Sequence, residues 1–247
     1  MRLPGQLYKH VKHCMDGHAS WHIARLNPAV FDAEGANAIA AARLLWPGVK
    51  CMIDLGSGEQ FLEFHRQMLR EFKWIVADTK EPDFYFDEWK AIPDWVAKYF
   101  DPGFLDGFAQ ALPAYIDGPS VDALGAFVES TPRGIARFHG VHNACHGKID
   151  MAESILHPRC ERLNDASMLE LKEAPHNEYF WSLHSWIDGI YAAWQVKHGV
   201  PVEDSPKQPG GHHPAMDVRM TPSIRAYFRR LFLGNEYANS SGALPHS

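Results

Sequence analysis

The sequence predicts an all-α protein, and three observations carry that expectation. Apolar residues recur at i, i+3 and i+4 along most of the chain, helix-ending residues punctuate those runs, and no stretch alternates apolar and polar residues as a half-buried strand would. In chain order the expected helices are Gln6–Leu26, Ala33–Leu45, Ser57–Ile75, Ile92–Tyr99, Phe104–Ile116, Ser120–Ser130, Pro132–Ile149, Tyr179–His198 and Ser223–Leu233. Thr131 and Pro132 form an N-cap and N1 pair, while Gly199 and Pro201 end the helix that carries Trp194 and Gln195. The stretch 80–118 is rich in proline, glycine and aromatic residues, which predicts short helices wrapped over a core. Segment 203–214 reads as a loop and 234–247 as a peripheral tail, so residues 1–247 are expected to form a single helical domain.

Composition narrows the partners. With 46% hydrophobic and 22% charged residues, the 247-residue chain can bury a sizeable core and does not read as disordered. Its formal charge is −6 and no lysine/arginine block is present to track a phosphate backbone, so nucleic acid is not an expected partner. No apolar run approaches the roughly 18 residues that cross a bilayer, and the start MRLPGQLYKHVKHC has no apolar core of signal-peptide type. The expected location is cytoplasmic, without a membrane partner. Cys14, Cys51, Cys145 and Cys160 lack CxxC spacing and are expected to stay reduced.

The unusual number is 15 histidines. Two form His18-Ala-Ser-Trp-His22 and two form His142-Asn-Ala-Cys-His146, and on a helix the i, i+4 spacing puts both imidazoles of a pair on one face. A single helical histidine follows each pair, His65 after the first and His184 after the second, each with a phenylalanine four residues before it (Phe61 and Phe180). The chain thus repeats a three-histidine set. Two helices with pairs and two with single histidines can pack as a four-helix-bundle core holding a dinuclear metal site, with additional short helices around it. His18, His22 and His65 are expected on one metal, and His142, His146 and His184 on the other. Six imidazoles without a carboxylate favour copper, with zinc less favoured, over iron or manganese. A di-iron site would need inward glutamates and two Glu-x-x-His motifs, and Glu173-Ala-Pro-His176 alone fits. His10 and His13 are expected on the solvated side of their helix, His139 is a candidate supporting group, and His212-His213 falls in a Gly/Pro loop.

The run Gly58-Glu-Gln-Phe61-Leu-Glu-Phe-His65-Arg-Gln67-Met68-Leu69 resembles a ligand helix of the first copper site in arthropod hemocyanins and phenoloxidases, as does Trp21-His22 within HxxWH. His142-Asn143-Ala-Cys-His146 resembles the HNxxH of the second copper site. Phe180-Trp-Ser-Leu-His184-Ser-Trp-Ile-Asp188 resembles that family's F-x-x-x-H-K-x-I-D segment, and Tyr191-Ala-Ala-Trp194-Gln195 is similar to the end of the same helix in tyrosinases. There are departures. Gly56 stands where tyrosinases place another first-site histidine, Asn177-Glu178 replaces Asp-Pro, and Leu183-His184 replaces a His-His pair. The large N-terminal and β-sandwich domains of hemocyanins have no counterpart in this length.

The resemblance implies a type-3 centre of two copper ions that uses O2 to oxidise a phenol or aromatic amine, in the manner of a tyrosinase, catechol oxidase or N-oxygenase. The alternatives are a reversible O2-binding protein of hemocyanin type, or a mononuclear copper or zinc protein. It also implies a catalytic role for Asn143, orienting a phenol or holding a water; Glu129 is the nearest upstream acid. Asp188 is expected to accept a histidine N–H, cap a neighbouring helix or form a salt bridge. Cys145 is expected as a buried structural thiol, and Trp21, Phe64, Phe180 and Trp181 as a dry aromatic shell. Gly147, directly after His146, is expected to leave an open approach to the metals past Asn143.

Overall fold

A computed structural model describes residues 2–80, 84–129, 140–156, 166–208 and 218–233, without the side chains of 13–16. Its regular elements are helical, as expected: α1 (Gly5–Ala24), α2 (Ala33–Leu45), α3 (Ser57–Thr79), α4 (Asp94–Ala97), α5 (Phe104–Asp117), α6 (Val121–Glu129), α7 (Val141–Leu156), α8 (Glu178–Lys197) and α9 (Pro222–Leu233). Short 3-10 turns cover Pro28–Val30 and Ala174–His176. The Thr131-Pro132 cap, His139, the His212-His213 loop and the tail lie outside the described residues. No helix among the described residues is long and apolar enough to cross a membrane.

Local chemistry explains the helix ends. Asp32 caps α2 by accepting from Gly35 N at 2.7 Å, and Asn177 caps α8 by accepting from Tyr179 N at 3.0 Å. Gly56, the residue standing in place of a histidine, begins α3 at φ 84°, a left-handed conformation that glycine adopts without Cβ strain. Gly199 does the same at the end of α8, at φ 68°.

The core divides into two apolar clusters. The larger one gathers Phe61, Phe72, Phe127, Phe180 and Trp181 among others, and the smaller joins α1, α2 and α9 through Ile23, Ile39, Ile224 and Phe228. Each such side chain contributes about 1.5–3 kcal/mol by leaving water. The proline-rich stretch is wrapped over the first cluster as expected: Trp89, Val96 and Phe108 are buried there. Helices α3 and α6 approach most closely, because Gly58 and Gly125 meet backbone to backbone; a Cβ built on either glycine would fall inside van der Waals contact with the other helix. That contact brings the end of α6 beside α1, where Arg25 and Glu129 form a fully buried ion pair, with Arg25 Nη2 2.8 Å from Glu129 Oε2 and 2.8 Å from Ser57 O.

Candidate metal centre

Helices α1, α3, α7 and α8 bring His18, His22, His65, His142, His146 and His184 together, all of them buried. The i, i+4 pairs sit as the helical spacing dictates, with ring centroids 4.6 Å apart for His18/His22 and 4.8 Å for His142/His146. His18, His22 and His65 place three donor nitrogens within 4.8 Å of one another and could hold a metal ion. The other tight set is His65, His142 and His184, so His65 lies between the two halves. His146 stands beside this second set, its ring 5.9 Å from that of His184.

The hydrogen bonds settle which nitrogen carries the proton in five of the six rings. Carbonyl oxygens only accept, so Nδ1 is the donor in His18 to Leu171 O (3.0 Å), His65 to Phe61 O (2.8 Å), His146 to Met168 O (2.9 Å) and His184 to Phe180 O (2.6 Å). In His65 and His184 the acceptor is the carbonyl four residues earlier, which belongs to the phenylalanine flagged by the sequence pattern. Those phenylalanine rings also lie beside the imidazoles, at 4.4 Å and 4.0 Å. His142 Nδ1 donates to Asn143 Oδ1 at 3.0 Å, and Asn143 Nδ2 donates to the main-chain oxygen of Glu129. Asn143 is therefore engaged in holding His142, and the Glu129 carboxylate faces Arg25 instead of the metal side.

Five rings are thus fixed with Nε2 as a bare lone pair. The Nε2 atoms of His18, His22, His65 and His146 are buried without a hydrogen-bond partner, and those of His142 and His184 face each other at 3.2 Å. Two lone pairs at that separation repel unless a cation sits with them, and an orphaned acceptor in a dry core costs about 1–3 kcal/mol. A bound metal removes both penalties. Burial holds all six imidazoles neutral: His18 is pulled down to about 3 and His146 to about 4, and the other four lie well below the usual 6.5. Neutral imidazole is the ligating form.

The surroundings match the expected shell in part. Trp181 is fully buried and stacked on Phe72, and Cys145 is fully buried with burial pushing its thiol pKa up. Asp188 forms a salt bridge with Arg66, the residue after His65, at 2.5 Å, and Gln195 accepts from the same guanidinium. This network ties α3 to α8 beside two of the histidines.

The expected approach past Gly147 is overturned. A Cβ on Gly147 would collide with the carbonyl of Phe232, so the glycine is there to let the backbone of α9 come close. Helix α9 covers this side: the Phe232 ring stacks on His146 at 4.9 Å and 14°, and Phe228 stands edge-on to His22 at 6.3 Å. Sequence reasoning missed α9 as a wall of the site, and also missed Leu171 and Met168 as the anchors of His18 and His146. Comparison of this chain with protein-family models, with curated proteins and with solved structures finds no match.

Proposed function

We propose that the protein is a dicopper oxidase or monooxygenase that uses O2 to oxidise a small phenol or aromatic amine. The observation that carries this reading is the convergence of six neutral imidazoles, four with Nε2 buried and without a hydrogen-bond partner and two, His142 and His184, with Nε2 facing each other. The donor set is nitrogen throughout, with no carboxylate in either tight group among the described residues, which favours copper over iron or manganese. His18, His22 and His65 would hold one ion, and His142, His146 and His184 the other, with His65 near both. Copper bound there would supply the activation of O2.

The chain's own part is positional. The carbonyls of Phe61, Phe180, Met168 and Leu171 hold the Nδ1 protons, so each ring presents Nε2 inward without a change of tautomer. Asn143 does the same for His142. The aromatic shell of Phe61, Phe180 and Trp21 excludes water from the imidazoles.

The test is titration of metal-free protein with Cu(I), followed by exposure to O2 with the optical spectrum recorded before and after addition of a phenol or o-aminophenol. Two ions per chain and oxidised product are expected. One ion per chain would assign a mononuclear site, and no uptake would overturn the metal centre. A second reading, reversible O2 binding, is favoured by the Phe232 ring over His146. A spectral change that reverses when O2 is removed, with no product from any phenol or amine, would select it.

A further inference from the structure

Helix α9 covers the second set of histidines, and an opening lies beside the first set. A cavity of about 400 Å3 sits against the first triad, lined by Trp21, Trp46, Phe64 and Met68 together with Glu63 and Gln67 among others. That volume is within the range of small-molecule pockets. Its inner wall is a pair of parallel rings, Trp21 and Phe64, 4.0 Å apart at 3°. Trp21 is edge-on to His22 at 4.9 Å and to His65 at 5.7 Å, and Phe64 lies 5.3 Å from His65. A molecule in the cavity is therefore separated from the imidazoles by one layer of rings. Trp46 forms an adjoining aromatic wall, fixed by its Nε1 donating to Ser20 Oγ at 2.9 Å and perpendicular to Phe64 at 5.8 Å.

The charge carried by the lining residues themselves is of one sign. None of the residues lining the cavity is basic, and Glu63 supplies a carboxylate at an exposed position. Glu59, one turn earlier on α3, adds to the negative potential. Lys207 does not line the cavity but reaches its edge, with Nζ 3.5 Å from Gln67 Oε1.

We propose that this cavity binds a small aromatic compound carrying a protonated amine, with its ring against Trp46 and Phe64 and its ammonium at Glu63. Aromatic faces and a carboxylate together select such a cation over a neutral or anionic ring. As a substrate site this deepens the reading of a copper oxidase and rests on it; as a binding site it stands by itself.

The experiment uses the full chain, metal-free, with calorimetry and tryptophan fluorescence following titration by phenethylammonium, phenethyl alcohol, phenylacetate and ethylammonium. Phenethylammonium is expected to bind at least about tenfold tighter than phenethyl alcohol, a difference of about 1.4 kcal/mol. Ethylammonium, which has no ring, should not bind measurably. Glu63→Gln should erase the advantage of the ammonium, and Glu63→Lys should turn the preference toward phenylacetate; both changes are at an exposed position. Equal binding of phenylacetate and phenethylammonium to the parent protein, or unchanged selectivity in Glu63→Gln, overturns the proposal. Copper uptake is measured on the same samples. Normal uptake without amine selectivity removes the cavity proposal alone, while amine selectivity without copper uptake leaves the cavity standing and removes the metal reading.

Discussion

The imidazole of His65 stacks on that of His184, with ring centroids 4.7 Å apart and planes at 14°. These are the two single histidines of the repeated set, and their contact joins the halves of the centre. His65 is also the residue shared by the two groups that could hold a metal ion. Its removal should therefore disturb both positions, whereas removal of His22 opens one. Two copper ions per chain are expected in the parent protein, one in His22→Ala and fewer than one in His65→Ala, read by metal analysis after desalting. Equal loading of the two variants would contradict a shared position.

Acid should destabilise the metal-free protein from the histidines outward. Each of the six has a folded-state pKa below its ordinary value of 6.5, so above about pH 6.5 it is neutral in both states and has no effect on the balance. As pH falls below 6.5 the unfolded chain takes up protons that the folded chain refuses, and stability falls until the folded-state pKa is reached, about 4 for His146 and about 3 for His18. Each histidine contributes up to about 1.4 kcal/mol per pH unit in that window. Urea midpoints should drop steeply between pH 6.5 and 4.5 and stay nearly flat from 7 to 8 as far as these groups decide.

The buried pair of Arg25 and Glu129 makes a second stability prediction. Glu129→Gln leaves a guanidinium inside the core without its counter-charge, and breaking a buried pair in this way costs about 3–5 kcal/mol. The loss should appear in chemical denaturation at neutral pH. A loss under 1 kcal/mol would show that Arg25 finds compensation from Ser57 O and the Trp21 ring it covers.

Three glycines on helices should respond in different ways to alanine. At Gly189 on α8 a Cβ meets nothing within 4 Å, so Gly189→Ala should stabilise by about 0.5–1 kcal/mol through helix propensity. At Gly125 the added methyl meets the Gly58 backbone and should destabilise by about 1–3 kcal/mol or more. At Gly147 it meets Phe232 O and should lift α9 from α7, increasing amide exchange in 222–233 before the rest of the chain opens. Thermal melts rank the first two and hydrogen exchange reads the third.

What the sequence made legible was local. The i, i+4 pairs and the lone His65 and His184 follow from helical periodicity, and the phenylalanine at i−4 of each lone histidine marks the turn whose carbonyl holds Nδ1. The ends of α8 and α9 were legible from Gly199 and the apolar spacing. Contacts between distant segments carried no such signal. Leu171 and Met168 lie in irregular chain and reach His18 and His146 across 153 and 22 residues, and Glu129 reaches Arg25 across 104. Gly147 was ambiguous in kind: a glycine beside a ligand reads alike for an approaching substrate and for an approaching backbone, and only the position of α9 decides.

The four-residue stretch from Met168 to Leu171 holds one ring from each half of the centre, and Asp150 of α7 anchors it by accepting from Met168 N at 3.1 Å and from Ser167 Oγ at 2.8 Å. Ordering that stretch fixes His18 and His146 together, so the entropy lost when it settles is lost once for both positions. If two ions bind as proposed, the first would prepare the place of the second, and uptake is expected to be positively cooperative without any contact between the ions. A stepwise titration should then show few singly occupied chains at half saturation, and loosening the anchor with Asp150→Ala should separate the two binding steps while all six histidines remain in place.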